Sequence, residues 1–238
     1  MGLTDDIETA VREIVNADWN VRVGRTVPET EDITLSNGAV ELDAVYLYAD
    51  MADSTGLARD FAAKTAAKVI RSYLDATCRV IRARGGAIRS FDGDRVMAIF
   101  IGKSKNTSAA QCGLQINHVV SQIVRPAVER RFPPLESGGF TLSHCVGIAS
   151  GKALIVRGGV WGHNDLVSVG RAPNVAAKLS DVRKSPYVTY VTDSVYKMMH
   201  ESVKYGGERN ELMWKGPLSR EVGGKKISVY KSSWRRKP

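Results

Sequence analysis

The sequence predicts an α/β fold in which a mainly antiparallel central sheet is flanked by helices. Three observations carry this expectation. Residues 45–50 alternate like a strand, with Val45, Leu47 and Ala49 on one face and Tyr46, Tyr48 and Asp50 on the other. A compact hairpin follows, Ala87–Phe91 and Val96–Ile101 around Asp92-Gly93-Asp94. Between and after them run long stretches with apolar residues at helical spacing, so that the order β-α-β-β-α-β emerges, which is a ferredoxin-like arrangement.

In chain order, residues 4–19 predict a short helix with Thr4 as N-cap, and 20–39 a mixed lead-in containing Pro28 and Ser36-Asn37-Gly38. The first strand is expected at about 42–50. Asp53-Ser54-Thr55-Gly56 reads as a turn entering a helix, where free N–H groups can receive phosphate. One helix is expected over 57–83, carrying Ala66, Val69, Tyr73, Thr77 and Val80 at 3–4 spacing and closed by Gly85-Gly86. A second helix over 105–131 stops near Pro133-Pro134. Strand-like runs follow at 140–150 and 153–156, with Gly158-Gly159 and Trp161-Gly162 in a loop. A strand at 165–169, a helix at 172–183, a strand at 187–191, a short helix at 193–200 and weak strands at 211–215 and 226–231 complete the pattern. No internal repeat appears. The expected organisation is an N-terminal helix and lead-in over 1–40 and one domain over 41–238.

Bulk properties narrow the function classes. No apolar run approaches the roughly 20 residues of a membrane span. The acidic, polar start MGLTDDIETA is no secretory signal. Cys78, Cys112 and Cys145 are odd in number and widely spaced, which fits buried thiols in a reducing cytoplasm. The net charge of +9 invites a nucleic-acid partner, but much of it crowds the C-terminus and few aromatics interleave with it. A solvated basic tail that also attracts nucleoside triphosphates is the better reading.

The chemistry concentrates in two carboxylates. Asp50 ends an apolar strand, a costly place unless it is solvated, paired or bound to a cation. Asp94 sits in the hairpin turn, where Asp is also an ordinary turn former. In this topology the strand pairs with the hairpin and brings both carboxylates to one edge. Adjacent carboxylates repel unless a proton or cation lies between them, and Mg²⁺ or Mn²⁺ bridging to phosphates is the usual resolution.

Four pieces, YADMADSTGLA, GGAIRSFDGDRVMAIF, HCVGIASGKALIVRGG and VSVGRAPNVAAKLSDV, together resemble the class III nucleotide cyclase catalytic domain in order and spacing over residues 42–231. The resemblance implies a metal-dependent cyclase of a nucleoside triphosphate. It implies two Mn²⁺ or Mg²⁺ ions held by Asp50, Asp94 and the Met51 carbonyl. Asn174 takes the ribose-orienting position, and Lys178 stands where the family places a transition-state Arg. A helix presents residues i and i+4 on one face, so both can address one substrate. In this family the metal carboxylates and the Asn/Arg pair come from opposite protomers, implying a homodimer with shared sites.

The sequence departs from the family's purine cyclases at the base-reading positions, which hold Ser90 and Val167. Val167 cannot accept a hydrogen bond from an exocyclic amine. Tyr48, two residues before Asp50 and within roughly 7 Å by strand rise, and Arg95, next to Asp94, would narrow a base pocket while adding stacking and donors. The combination is similar to the stand-alone pyrimidine cyclases of Pycsar anti-phage systems. That resemblance implies cyclic UMP or cyclic CMP as a messenger and a separate effector. Because Arg95 can only donate and uracil offers two carbonyls where cytosine offers one and a ring nitrogen, UTP is expected ahead of CTP. A purine cyclase with unusual base contacts and a non-catalytic nucleotide-binding dimerisation module are the alternatives; Lys178 in place of Arg favours the latter.

Overall fold

The computed structural model describes residues 2–238. An amphipathic helix, α1 (Leu3–Asn16), opens the chain with every residue exposed. Its cap lies two residues earlier than expected: Gly2, not Thr4, is the N-cap, and the Gly2 amide donates to Asp5 Oδ2 at 2.9 Å. The lead-in contains a strand, β1 (Asn20–Val23), which pairs in parallel with the start of β2 (Gly38–Met51).

β2 is the spine of the sheet. It pairs antiparallel with β4 (Arg95–Phe100), itself the partner of β3 (Ala87–Asp92), and on its other side with β5 (His144–Val160). β5 then pairs antiparallel with β6 (His163–Val169) and in parallel with β7 (Thr189–Thr192). After a two-stranded sheet of β8 (Tyr205–Gly206) and β9 (Glu211–Leu212), a final hairpin of β10 (Lys215–Val222) and β11 (Lys225–Ser232) extends the main sheet through β7. The main path is therefore β10-β11-β7-β5-β2-β4-β3, a mainly antiparallel sheet as expected.

Two expected helices prove to be interrupted. The stretch expected at 57–83 divides into α2 (Ser54–Asp60) and α3 (Ala63–Ala83). Phe61 adopts an extended backbone there and its ring meets Phe140 edge-on, 6.3 Å between centroids. The second divides into α4 (Lys105–Val119) and α5 (Arg125–Arg131), joined by a π-helical turn at Val120–Val124. Pro126, near the start of α5, has no N–H to offer the preceding turn, which accounts for the widened loop. The short α6 (Pro134–Ser137), then α7 (Arg171–Ser180) and α8 (Asp193–Met198), complete the helices. α7 ends three residues before the expected boundary, which leaves Arg183 in the following loop.

The runs at 140–150 and 153–156 form the single strand β5, which begins at His144 and passes through Gly151; Phe140 and Leu142 precede it. Gly158 and Gly159 belong to that strand, and only Trp161-Gly162 turns the chain into β6.

The pleat of β2 sorts its residues between two cores. Val45, Leu47, Ala49 and Met51 pack with Val69, Tyr73 and Ile81 of α3 and with Leu114 and Ile116 of α4. Leu42, Ala44 and Tyr46 face the other way, against Val175, Ala176 and Leu179 of α7. Each fully buried side chain of this size contributes about 1.5–3 kcal/mol of transfer free energy, so both layers are firmly attached to the strand that carries Asp50.

Candidate active site

Asp50 lies near the end of β2, opposite Arg95 on β4 and Cys145 on β5, and is 8% exposed. Asp94 stands in the β3–β4 turn beside Gly93, whose φ of +61° is open to glycine at little cost. The two carboxylates interact: burial raises the Asp50 pKa above the ordinary aspartate range, and the negative charge of Asp94 adds to that rise. Asp94 Oδ2 is itself buried and has no hydrogen-bond partner. An orphaned carboxylate oxygen beside a second buried carboxylate is a set of hard donors short of a cation. This fits Mg²⁺ or Mn²⁺. No group of three or more His, Cys, Asp or Glu is placed to hold a metal ion among the described residues, so phosphate oxygens and water would have to complete the coordination.

One residue that the motifs do not single out completes the local charge balance. Arg183 Nη2 donates to Asp50 Oδ2 at 2.7 Å and approaches the Met51 carbonyl at 3.4 Å. Its Nη1 donates to the Ser180 carbonyl at 2.6 Å, which fixes the guanidinium just beyond the end of α7. The Arg183 hydrogen bond and charge pull the Asp50 pKa down again, against the larger effect of burial. The same guanidinium thus contacts both a carboxylate and a carbonyl assigned to the metal. The available clue is that a buried Asp50 needs a cation, and Arg183 follows closely after the NVAAKL helix.

Tyr48 and Arg95 come together next to the carboxylates. The Arg95 guanidinium lies 5.7 Å from the Tyr48 ring centroid, a cation–π distance. Arg95 is held from two sides, with Nη2 donating to Asp92 Oδ2 at 2.5 Å and Nη1 at 3.7 Å from Asp181 Oδ1. Burial raises the Tyr48 phenol pKa, and the Arg95 charge partly opposes the rise, so the phenol stays protonated at neutral pH. The pair is a flat aromatic surface beside a fixed fork of donors.

Asn174 and Lys178 share the exposed face of α7, while Val175, Ala176 and Leu179 bury the opposite face. Among the described residues, no hydrogen bond or ion pair joins either side chain to Asp50 or Asp94. Within one chain they look outward. Ser90 is half-buried on β3, and Val167 is 48% exposed on β6.

No protein-family model matches the chain. Curated relatives do. A protein named uridylate cyclase from Rhodovulum sp. (strain MB263) is 44% identical over 100% of this chain and 99% of its own length. The chain belongs to the uridylate cyclase family. A second uridylate cyclase, from Xanthomonas perforans, is 37% identical over 99% of this chain and 98% of its own. Membership makes the protein a nucleotidyl cyclase, an enzyme acting on a nucleoside triphosphate. Solved structures agree on the fold. A bacterial light-regulated adenylyl cyclase superposes with a TM-score of 0.68 at 24% identity, covering 83% of this chain and 53% of that one. The adenylyl cyclase CyaB from P. aeruginosa gives 0.64 at 18% identity, over 83% and 97% of the two chains. The uridylate cyclase family thus shares the architecture of class III cyclases. No helix of the described residues is long and apolar enough to cross a membrane.

Proposed function

We propose that the protein converts UTP into 3′,5′-cyclic UMP and pyrophosphate in a metal-dependent homodimer, and that Tyr48 and Arg95 select the base. The observation that carries this reading is the Tyr48–Arg95 pair set beside the Asp50/Asp94 carboxylates, with relatives named uridylate cyclase over the full chain. Arg only donates hydrogen bonds; uracil presents two carbonyl oxygens, whereas cytosine presents one and a ring nitrogen. Tyr48 supplies the face on which a small base stacks.

In the reaction the ribose 3′-oxygen attacks the α-phosphorus. The new P–O3′ bond forms as the bond to the β-phosphate oxygen breaks, the hydroxyl proton is released, and pyrophosphate leaves. Asp50, Asp94 and the Met51 carbonyl would hold the divalent ions. Bound there, such ions lower the pKa of the attacking hydroxyl and offset the charge of the phosphates. Asn174 of the partner protomer orients the ribose, and Lys178 beside it opposes the charge that develops at the α-phosphate. A lysine does this as a point charge rather than as a bidentate fork, so Lys178 asks less of the phosphate's orientation than an Arg would. The turn at Asp53–Gly56 that leads into α2 receives the triphosphate.

By the same resemblance, the enzyme works in the cytoplasm within an anti-phage system, where its cyclic nucleotide acts on a separate effector protein. The deciding experiment is incubation of the purified protein with each of the four NTPs and Mn²⁺, with products identified by mass spectrometry. Cyclic UMP as the dominant product is expected. A cyclic purine product, or no cyclic product from any of the four, would overturn the reading.

A further inference from the structure

At the end of the sheet, bordered by Ala52, Arg183 and the start of β5, lies a cleft of about 650 Å³, within the range of pockets that take nucleotide-sized ligands. Arg125, Arg183, Lys184 and Arg235 line it, and no carboxylate does. Among the described residues, Arg125, Lys184 and Arg235 form no ion pair, so three of the four positive charges there are unbalanced. Backbone carbonyls steady two of the guanidinium groups: Arg125 Nε donates to Leu142 O at 2.6 Å, and Arg183 Nη1 to Ser180 O at 2.6 Å. His144 also lines the cleft, only 4% exposed, and its Nε2 has no hydrogen-bond partner. Four fixed or nearby cations and an unpartnered buried ring nitrogen around one cavity describe a place built for a multivalent anion.

We infer that this cleft binds an oligophosphate, and that Arg183 couples it to Asp50. A single guanidinium cannot be fully committed to the Asp50 carboxylate and to a polyanion in the cleft. Anion binding therefore draws Arg183 away from Asp50 and leaves that carboxylate and the Met51 carbonyl free. By linkage, Asp50 competes with the anion for the same side chain. The anion site stands on the cleft itself. The meaning of the coupling, release of a metal ligand, rests on the assignment of Asp50 made above.

Calorimetric titration of the metal-free protein with tripolyphosphate tests both parts without any turnover. One anion per chain is expected. The double variant Lys184→Gln/Arg235→Gln, which alters two exposed side chains outside the cyclisation machinery, should weaken binding at least tenfold, since each is a charge-assisted contact. Asp50→Asn should strengthen binding several-fold in the native background and leave it unchanged in an Arg183→Met background, the non-additivity expected of one shared side chain. Circular dichroism melts would confirm that each variant is folded. Absence of binding, or binding indifferent to the double variant, overturns the site; an equal response to Asp50→Asn in both backgrounds overturns the coupling. A parallel titration with the non-cyclisable α,β-methylene analogue of UTP identifies the source of the phosphates. Weakening of that analogue by the double variant means the substrate's own tail enters the cleft, and indifference means a separate oligophosphate does. Failure of these titrations would leave the four-nucleotide assay untouched, so the two readings fail separately.

Discussion

Arg95 stands opposite Asp50 in the β2–β4 ladder and feels its charge, but its hydrogen bond and ion pairs run sideways, to Asp92 and Asp181. That leaves its donor fork fixed in direction and available to a base. Replacement by glutamine keeps a donor but loses the charge and the rigid fork. Arg95→Gln is expected to lower kcat/KM for UTP by about 10–100-fold, the loss typical of one hydrogen bond to a charged group, and to narrow the preference over CTP. Steady-state kinetics with both nucleotides checks it. His144 offers a second residue-scale expectation. Burial, with Arg125 and Arg183 nearby, depresses its pKa to about 3. An unfolded histidine titrates near 6.5, so the stability held by the neutral ring is complete above about pH 6.5 and is lost progressively as pH falls towards 3. In urea melts at pH 7 and pH 5, His144→Asn should lose less stability between the two than the native chain does.

At the scale of elements, the approach of α7 to the sheet depends on one glycine. A Cβ placed on Gly147 of β5 would lie 2.1 Å from the Ala176 carbonyl oxygen and 2.5 Å from the Ser180 amide nitrogen, both of them helix backbone. Neither can swing aside as a side chain would. Gly147→Ala is therefore expected to lift α7, lower stability by about 1–3 kcal/mol or more, and disturb Asn174 and Lys178 with it. A thermal melt reads the first effect, and KM against kcat reads the second. Elements with local causes were legible in the sequence: the alternation of β2 and the Gly-bearing turn of β3–β4 depend on nearest neighbours. The break between α2 and α3 was not, because Phe61 and Ala62 carry no helix-breaking chemistry; Phe61 leaves the helix to meet Phe140, far along the chain. Likewise Gly158 and Gly159 resemble loop residues until β6 pairs with them. The carboxylates of the candidate site stand inside recognisable motifs, whereas the contact of Arg183 with Asp50 spans 133 residues and follows only from the fold.

For the whole molecule, the outward aim of Asn174 and Lys178 makes a single chain an incomplete enzyme under the proposed mechanism. Asp50→Asn and Asn174→Ala should each abolish turnover while leaving the dimer intact. Mixed and allowed to exchange subunits, they should recover roughly a quarter of native activity, because half the dimers are mixed and each mixed dimer holds one complete site of two. Size-exclusion chromatography establishes the dimer, and the product assay reads the recovery. Recovery near zero would place both residues in one protomer's site.

The Arg183–Asp50 pair also bears on how the protein endures between rounds of use. Under the proposed mechanism, two neighbouring carboxylates, Asp50 buried and Asp94 half-buried, would repel each other at the end of the sheet whenever divalent ions were scarce. Here the chain carries its own counter-charge, a monovalent side chain bound to Asp50 and already tethered to the backbone of Ser180. If the two ions bind as proposed, chelation would thus return the protein to a resting form with its frame intact, ready to be rearmed rather than refolded.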